Sequence, residues 1–499
     1  MRGKSYIWSW LCVLMPLAVS AQEIDPKTFR EQKRQEMEQY RKQKQQEFTQ
    51  FREQKRSEFE QFRRQRNREF AEVLATHRLH VQVDRGKEPP VIPQPFVPRP
   101  EERVAPVKPK KLPVEQVVAP VRVPKPTAPQ RIDKPVVEDK TPRMEVSFLG
   151  MSYVLRTARS FNLSLPSTTR QAVSSAWCRV AVDELDPLVY DCQQVRERYQ
   201  LTDWAYYLFI KEVSRQLVGD SRKNEATLVA GYLLSQSGMD FRFAYLPDGM
   251  AIALACHETI YRKTYFKVDG RTYYLMDRNV MEKADIDCKS YSSSYAPCSF
   301  LPRRGMNLPL QRSKTIHRQS KRYPEISVDF SINETLIEYY NHHPKIDWRM
   351  YALTPMEEHT AEQLLPCLRA AIVGKSEIEA VERILNFLET AFTYGYDDKI
   401  WGADRPFFPD ETLYYPFSDC EDRAILFSQL IMQLTDLDVV LLHYPNHLAT
   451  AVRFHTDLQG DYVMVDGHKY MVCDPTGYKP IGHAYDRFKN VAAKVIKLR

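Results

Sequence analysis

Apolar side chains in the first part of the chain recur every eleven residues. The units FREQKRQEMEQ, YRKQKQQEFTQ, FREQKRSEFEQ and FRRQRNREFAE start at Phe29, Tyr40, Phe51 and Phe62. Met37, Phe48, Phe59 and Phe70 occupy a second shared position. Eleven residues complete three turns at about 3.67 residues each. Both sets therefore fall on one face of a nearly straight helix that tends to right-handed supercoiling. Most other positions are Glu, Gln, Lys or Arg, which are good helix formers. Residues 27–76, fully helical, would span roughly 75 Å. So narrow a stripe cannot bury the helix in a globule. It suits self-association along the aromatic seam, or a solvated single helix.

The pattern changes over residues 77–143. PPVIPQPFVPRP and the later Val-Pro-Lys-Pro pieces are rich in Pro and Lys and nearly free of Gly. Such chains favour extended polyproline II and act as semi-stiff spacers, so no packed structure is expected there. From Met144 aromatic and β-branched residues alternate with polar ones and helical periods appear. The spacing predicts helices over 204–218 and 224–235, then strands and turns over 241–276. A second globular stretch, 323–499, predicts helices over 360–373 and 376–392 and an aromatic loop holding Trp401, Phe407, Phe408, Tyr414 and Tyr415. Between them, 285–322 is irregular. The expected class is α+β, with globular domains at 144–322 and 323–499 behind a helix (22–76) and a Pro-rich linker (77–143).

The candidate chemistry sits in the second stretch. Phe427, Leu430, Ile431 and Leu434 have helical spacing, which puts Cys420 at a helix N-terminus, with Ser418 or Asp419 as cap. Free backbone N–H groups and the helix dipole there stabilise a thiolate, the reactive form of cysteine. Asp419, Glu421 and Asp422 pull the other way, since neighbouring carboxylates raise a thiol's pKa. Acids in the first turn of a helix are also ordinary. A strand over 438–442, a turn at Tyr444-Pro445-Asn446 and a strand from His447 follow. Asp466-Gly467 makes a hairpin turn, and the returning strand ends at Asp474. His443 is the rival base.

Composition narrows the setting. Arg2 and Lys4, the apolar run Ile7 to Val19 and the small residues Val19-Ser20-Ala21 read as an export signal, residues 1–21. The run is too short for a good membrane span, and no later stretch reaches that length. The mature chain is expected to be exported, periplasmic or secreted. The net charge of +7 over 499 residues is mild and gathers in the N-terminal third. It accompanies no nucleic-acid-binding motif. Of nine cysteines, removal of Cys12 leaves eight. Cys178 with Cys192, or Cys288 with Cys298, are local disulfide candidates. No Cys/His spacing resembles a zinc site.

The order of Asp-Cys-Glu-Asp at 419–422, His447 in Asn-His-Leu-Ala and Asp474 in Cys-Asp-Pro-Thr resembles the transglutaminase-like superfamily, over about 361–482. The resemblance implies a papain-like fold. Cys420 would be the nucleophile, His447 its base and Asp474 the acid that orients the imidazole. It further implies a peptidase or amidase working through a thioester on protein or peptide substrates of the cell envelope. An acyl transferase with an amine acceptor is the related alternative, and a non-catalytic envelope binding or scaffolding protein the rival class. No cofactor is required. In exported bacterial relatives the residues matching Asp419 and Glu421 can ligate Ca²⁺, so these two are candidate calcium ligands. Trp401 and Tyr414 are candidates for a substrate groove.

The first globular stretch looks like a faded copy displaced by 197 residues. Tyr265-Phe-Lys-Val-Asp-Gly270 matches Tyr462-Val-Met-Val-Asp-Gly467, and Asp277 matches Asp474. At that shift His447 falls on Met250 and Cys420 on Lys223. The expectation is therefore tandem transglutaminase-like domains, the first without a nucleophile or base.

Overall fold

The computed structural model describes residues 26–90, 109–120, 141–158, 161–279, 283–301, 305–395, 401, 405–477 and 479–499. The expected export signal lies outside them, as do residues 91–108 and 121–140 of the expected linker. Among the described residues no helix is long and apolar enough to cross a membrane. The chain forms two compact units, residues 1–65 and 66–499.

The eleven-residue pattern becomes one helix, Pro26–Ala75. In the first unit the ion pairs Lys33–Glu36, Lys44–Glu47 and Lys55–Glu58 repeat at 2.5, 2.6 and 2.7 Å. The same lysines stand 5.8, 5.8 and 5.9 Å over the rings of Phe29, Tyr40 and Phe51. Such surface pairs each add only a few tenths of a kcal/mol. Phe29, Met37, Tyr40, Phe48, Phe51 and Phe62 stay exposed. The last turns belong to the second unit, where Phe70 and Leu74 are buried and Phe70 meets Trp177 edge-on at 4.8 Å.

The second unit is mixed α+β. Its strands in chain order are β1 (Arg78–Gln82), β2 (Val114–Val118), β3 (Arg143–Phe148), β4 (Met151–Arg156), β5 (Phe241–Leu246), β6 (Gly249–Ala255), β7 (Tyr265–Val268), β8 (Arg271–Leu275) and β9 (Lys283–Asp287). Then come β10 (Ile316–Gln319), β11 (Ser327–Phe330), β12 (Thr393–Tyr394), β13 (Phe417–Ser418), β14 (Asp438–Tyr444), β15 (His447–Arg453), β16 (Tyr462–Val465), β17 (His468–Val472) and β18 (Ala493–Lys497). Two six-stranded sheets dominate, ordered β1-β9-β5-β6-β8-β7 and β2-β18-β14-β15-β17-β16. The orders are the same strand for strand. A helix precedes each, Lys223–Gln236 before β5 and Cys420–Leu434 before β14. Both carry an Asp-Gly hairpin turn with two positive φ angles, 52° and 72° at Asp269-Gly270 and 48° and 79° at Asp466-Gly467, as a tight primed turn requires.

The stretch 77–143 is corrected in two places. β1 pairs antiparallel with β9 and β2 pairs parallel with β18, and Val83 and Leu112 are buried. Each segment covers a strand that would otherwise leave a row of unsatisfied edge groups. The expected boundary at 322/323 separates the two sheets except for β2, which crosses to the second, and one buried cluster runs from Phe70 to Leu498 through both halves. The outer faces of the two sheets have their own smaller clusters.

Candidate functional site

Cys420 opens the helix Cys420–Leu434, with Asp419 at its N-cap. The Asp419 amide donates to Asp422 Oδ2 at 3.2 Å, and the Phe407 amide to Asp422 Oδ1 at 2.9 Å. One of the first-turn acids thus fixes the helix start and the aromatic loop before it. Arg423 is buried and donates to Ser418 Oγ, to the carbonyl of Thr476 and to that of Phe392 at 3.2, 3.3 and 2.9 Å. It joins the helix that Cys420 opens, the β12–β13 pair and the turn beyond Asp474, and sets a positive charge among buried carboxylates.

Cys420 and His447 have no exposed surface. The Cys420 thiol donates to Glu421 Oε2 at 3.1 Å, and the Leu448 backbone acts on the sulfur to pull its pKa down. Burial first, and the Asp419 carboxylate second, push this thiol well above its ordinary range; the Leu448 backbone and the Glu421 contact act against them. Burial of the sulfur thus works against the thiolate that a helix N-terminus favours. Beside it burial, followed by the charges of Cys420, Asp419 and Glu421, pushes the Tyr394 phenol up.

His447 begins β15 after the two-residue turn Pro445-Asn446, its backbone opposite Tyr444. Its Nε2 lies 2.6 Å from Asp474 Oδ2. Asp474 Oδ1 accepts the Thr476 amide at 3.0 Å, which fixes the carboxylate. An Nε2–H donated to Asp474 leaves Nδ1 as the basic nitrogen. The Phe488 ring stacks on the imidazole at 5.0 Å and 5°, and Tyr485 meets it edge-on at 6.4 Å. The structure thus joins His447 to Asp474 directly, and places Cys420 against the backbone next to His447.

His443 takes no part in this arrangement. It lies opposite Leu448 on β14, one residue out of phase with His447 and so on the other face of the sheet. Its ring stands against Trp348 at 4.7 Å, and burial, with Lys494, lowers its pKa to about 4.

Asp419, Cys420 and Glu421 offer two carboxylates and a thiol within 4.8 Å of one another. The carboxylates suit a hard cation such as Ca²⁺; the sulfur does not and is no ligand for it. Trp401 and Tyr414 each touch Tyr415, at 4.9 and 5.1 Å, so the two groove candidates flank one aromatic patch. Sequence reasoning missed Phe488, Tyr485, Tyr394 and Glu389, which lie far from the motifs along the chain. Glu389 is buried, and Asp474, Arg423 and Arg322 are the charges acting on it.

The first half answers the site position by position. Lys223 opens the equivalent helix. The β5–β6 turn pairs Leu246 with Gly249, as β14–β15 pairs Tyr444 with His447. The residue matching His447 is therefore Gly249, not Met250. The loop before β7 spans 256–264 and that before β16 spans 454–461, so an ungapped shift misplaces β6 by one residue. Gly249 has φ +134°, and a Cβ there would come 2.5 Å from Asn224 Oδ1. Asn224 instead accepts the Met250 amide at 2.8 Å. Asp277 accepts from the Tyr207 hydroxyl at 2.9 Å and from Lys211 at 2.5 Å. This half keeps the acid and holds no Cys or His at the matching positions.

No protein-family model matches the chain, and comparison with curated proteins and with solved structures gives no match.

Proposed function

We propose that the chain is an exported cysteine hydrolase of transglutaminase-like, papain-related character, acting on a peptide or amide through Cys420. The observation that carries this reading is the buried 2.6 Å His447–Asp474 bond beside the helix start that presents Cys420. A lone buried cysteine has no need of an oriented histidine; a nucleophile does.

In this reading His447 Nδ1 takes the thiol proton as Sγ bonds to the substrate carbonyl carbon. The imidazolium then gives that proton to the departing amine as the C–N bond breaks, leaving a thioester. Water, deprotonated by His447, attacks the thioester carbon; the carboxylate product leaves and the thiol regains its proton. Burial disfavours the thiolate, so in this reading His447 acts as a general base rather than as half of a standing ion pair. A Ca²⁺ ion held by Asp419 and Glu421 would place positive charge beside the sulfur.

The two halves are read as a duplicated domain whose first copy lost catalysis. The exposed aromatic stripe of the N-terminal helix is read as a self-association seam. A non-catalytic scaffold is the competing reading, and the complete burial of Cys420 is what favours it. Trapping separates the two. The full chain is incubated with an activated acyl ester, quenched in acid and mapped by mass spectrometry. The hydrolase reading expects an acyl adduct on Cys420, absent in Cys420→Ala and in His447→Ala. Acylation elsewhere, or none, favours the scaffold.

A further inference from the structure

Neither local cysteine pair expected from the sequence is joined. All eight cysteines from Cys178 to Cys473 are free thiols. One pair that sequence distance hides is nevertheless set side by side. Cys256 follows β6, and Cys298 lies on the irregular segment after β9. The two form an isolated parallel β-bridge. The Cys298 amide donates to the Ala255 carbonyl at 2.7 Å, and the His257 amide to the Cys298 carbonyl at 3.1 Å.

Backbones joined this way run about 4.8 Å apart. A disulfide accepts Cα separations of about 4.4–6.8 Å. Direction matters as much as distance. Side chains opposite each other in a bridge point to the same face, and both thiols are buried in the same apolar cluster. Ala255, one residue earlier, belongs to the cluster on the opposite face. Cys256 Sγ now contacts the Leu254 carbonyl at 3.5 Å, and a χ1 rotation would turn it toward its neighbour.

We propose that Cys256 and Cys298 are a disulfide site, closed while the chain folds by a disulfide oxidant such as oxidised glutathione or an oxidised dithiol protein. One cysteine thiolate attacks a sulfur of the oxidant's S–S bond and releases the other sulfur as a thiolate. The second cysteine then attacks the mixed disulfide and releases the remaining half. Two electrons pass from the cysteine pair to the oxidant, and the two thiol protons end on its thiols. Once the chain is folded, both sulfurs are buried and burial holds both thiols well above their ordinary range. The bond therefore forms before the core closes and resists exchange afterwards.

The link would pin 298–301 to the first sheet. Here the Ser299 amide bonds Asp203 at 2.9 Å, Ser299 Oγ bonds Glu258 at 2.6 Å, and Phe300 stacks on Trp204 at 5.6 Å.

The test refolds the full chain from the reduced, denatured state in a buffer of oxidised and reduced glutathione. Remaining thiols are then alkylated in denaturant, and the digest is mapped by mass spectrometry. A Cys256–Cys298 linked peptide, with all other cysteines alkylated, is expected. A reductant should lower the thermal midpoint of this material and leave that of Cys256→Ala/Cys298→Ala unchanged. Alkylation of Cys256 and Cys298 in all molecules, or either of them linked to a different cysteine, overturns the proposal. A midpoint indifferent to reductant overturns the pinning role.

Discussion

Glu389 gives a prediction whose sign runs against intuition. It lies on the helix Glu377–Ala391 and is buried, and its Oε1 finds no hydrogen-bond partner among the described residues. Burial first, and the charge of Asp474 second, raise its pKa from 4.5 to about 9, against opposing pulls from Arg423 and Arg322. Between those values the folded chain holds a proton that the unfolded chain has lost. Stability contributed at low pH therefore falls as pH rises through this window. At 1.36 kcal/mol per pH unit, the cost is under about 1 kcal/mol at pH 5, about 3 at pH 7 and about 5 at pH 8. Glu389→Gln keeps the shape and has no such proton to lose. It should raise the urea midpoint of unfolding slightly at pH 5 and strongly at pH 8. Parallel urea titrations of both proteins at the two pH values measure this. A variant destabilised at pH 8, or an offset independent of pH, would refute the reasoning.

Three further outcomes follow from the site and the helix. Arg423→Ala removes three hydrogen bonds and strands buried carboxylates, so it should destabilise by about 3–5 kcal/mol; Arg423→Lys, lacking the planar fork, should rescue little of it in denaturant unfolding. If Asp419 and Glu421 hold Ca²⁺, millimolar Ca²⁺ should raise the thermal midpoint and Glu421→Gln should abolish the rise; equal midpoints with Ca²⁺ and with a chelator would remove calcium from the account. If the aromatic stripe is a seam, the full chain should sediment as an oligomer. Tyr40→Ser/Phe51→Ser should then sediment as a monomer with its helix content kept, while a monomeric parent refutes the seam.

Legibility along the chain followed how local each determinant is. The long helix reads directly because its period repeats four times within itself. Ser376 and Glu379 form a capping box that starts a helix at Glu377, and the Asp-Gly turns fix the registers of β7–β8 and β16–β17. β1 and β2 did not read, since their pairing is decided by distant β9 and β18. The exposures of β2 show no alternation of buried and exposed positions. The His447–Asp474 pair was legible as motifs in one order along the chain. The ring on His447 was not, because Phe488 arrives from a turn near the far end of the chain. The match of His447 to Met250 slipped by one residue because strong likeness at β7 and β8 says nothing about the length of the loop before them. That slip matters, since one residue along a strand turns a side chain to the other face. The state of the thiol was also hidden: the helix start was visible in sequence, while the burial that outweighs it belongs to the fold.

The most direct test of the central claim is iodoacetamide labelling of Cys420 in the folded chain from pH 4 to 9, read per cysteine by mass spectrometry. Wild type, His447→Ala and Asp474→Asn are compared, with the equally buried Cys473 as internal control. A base-assisted nucleophile predicts that Cys420 reacts faster than Cys473. The low-pH limb of its rate profile should vanish in His447→Ala, with Cys473 unchanged there, and weaken in Asp474→Asn, where Cys473 loses the neighbouring charge that raises its thiol. Cys420 labelling no faster than Cys473, or indifferent to His447, would contradict the account.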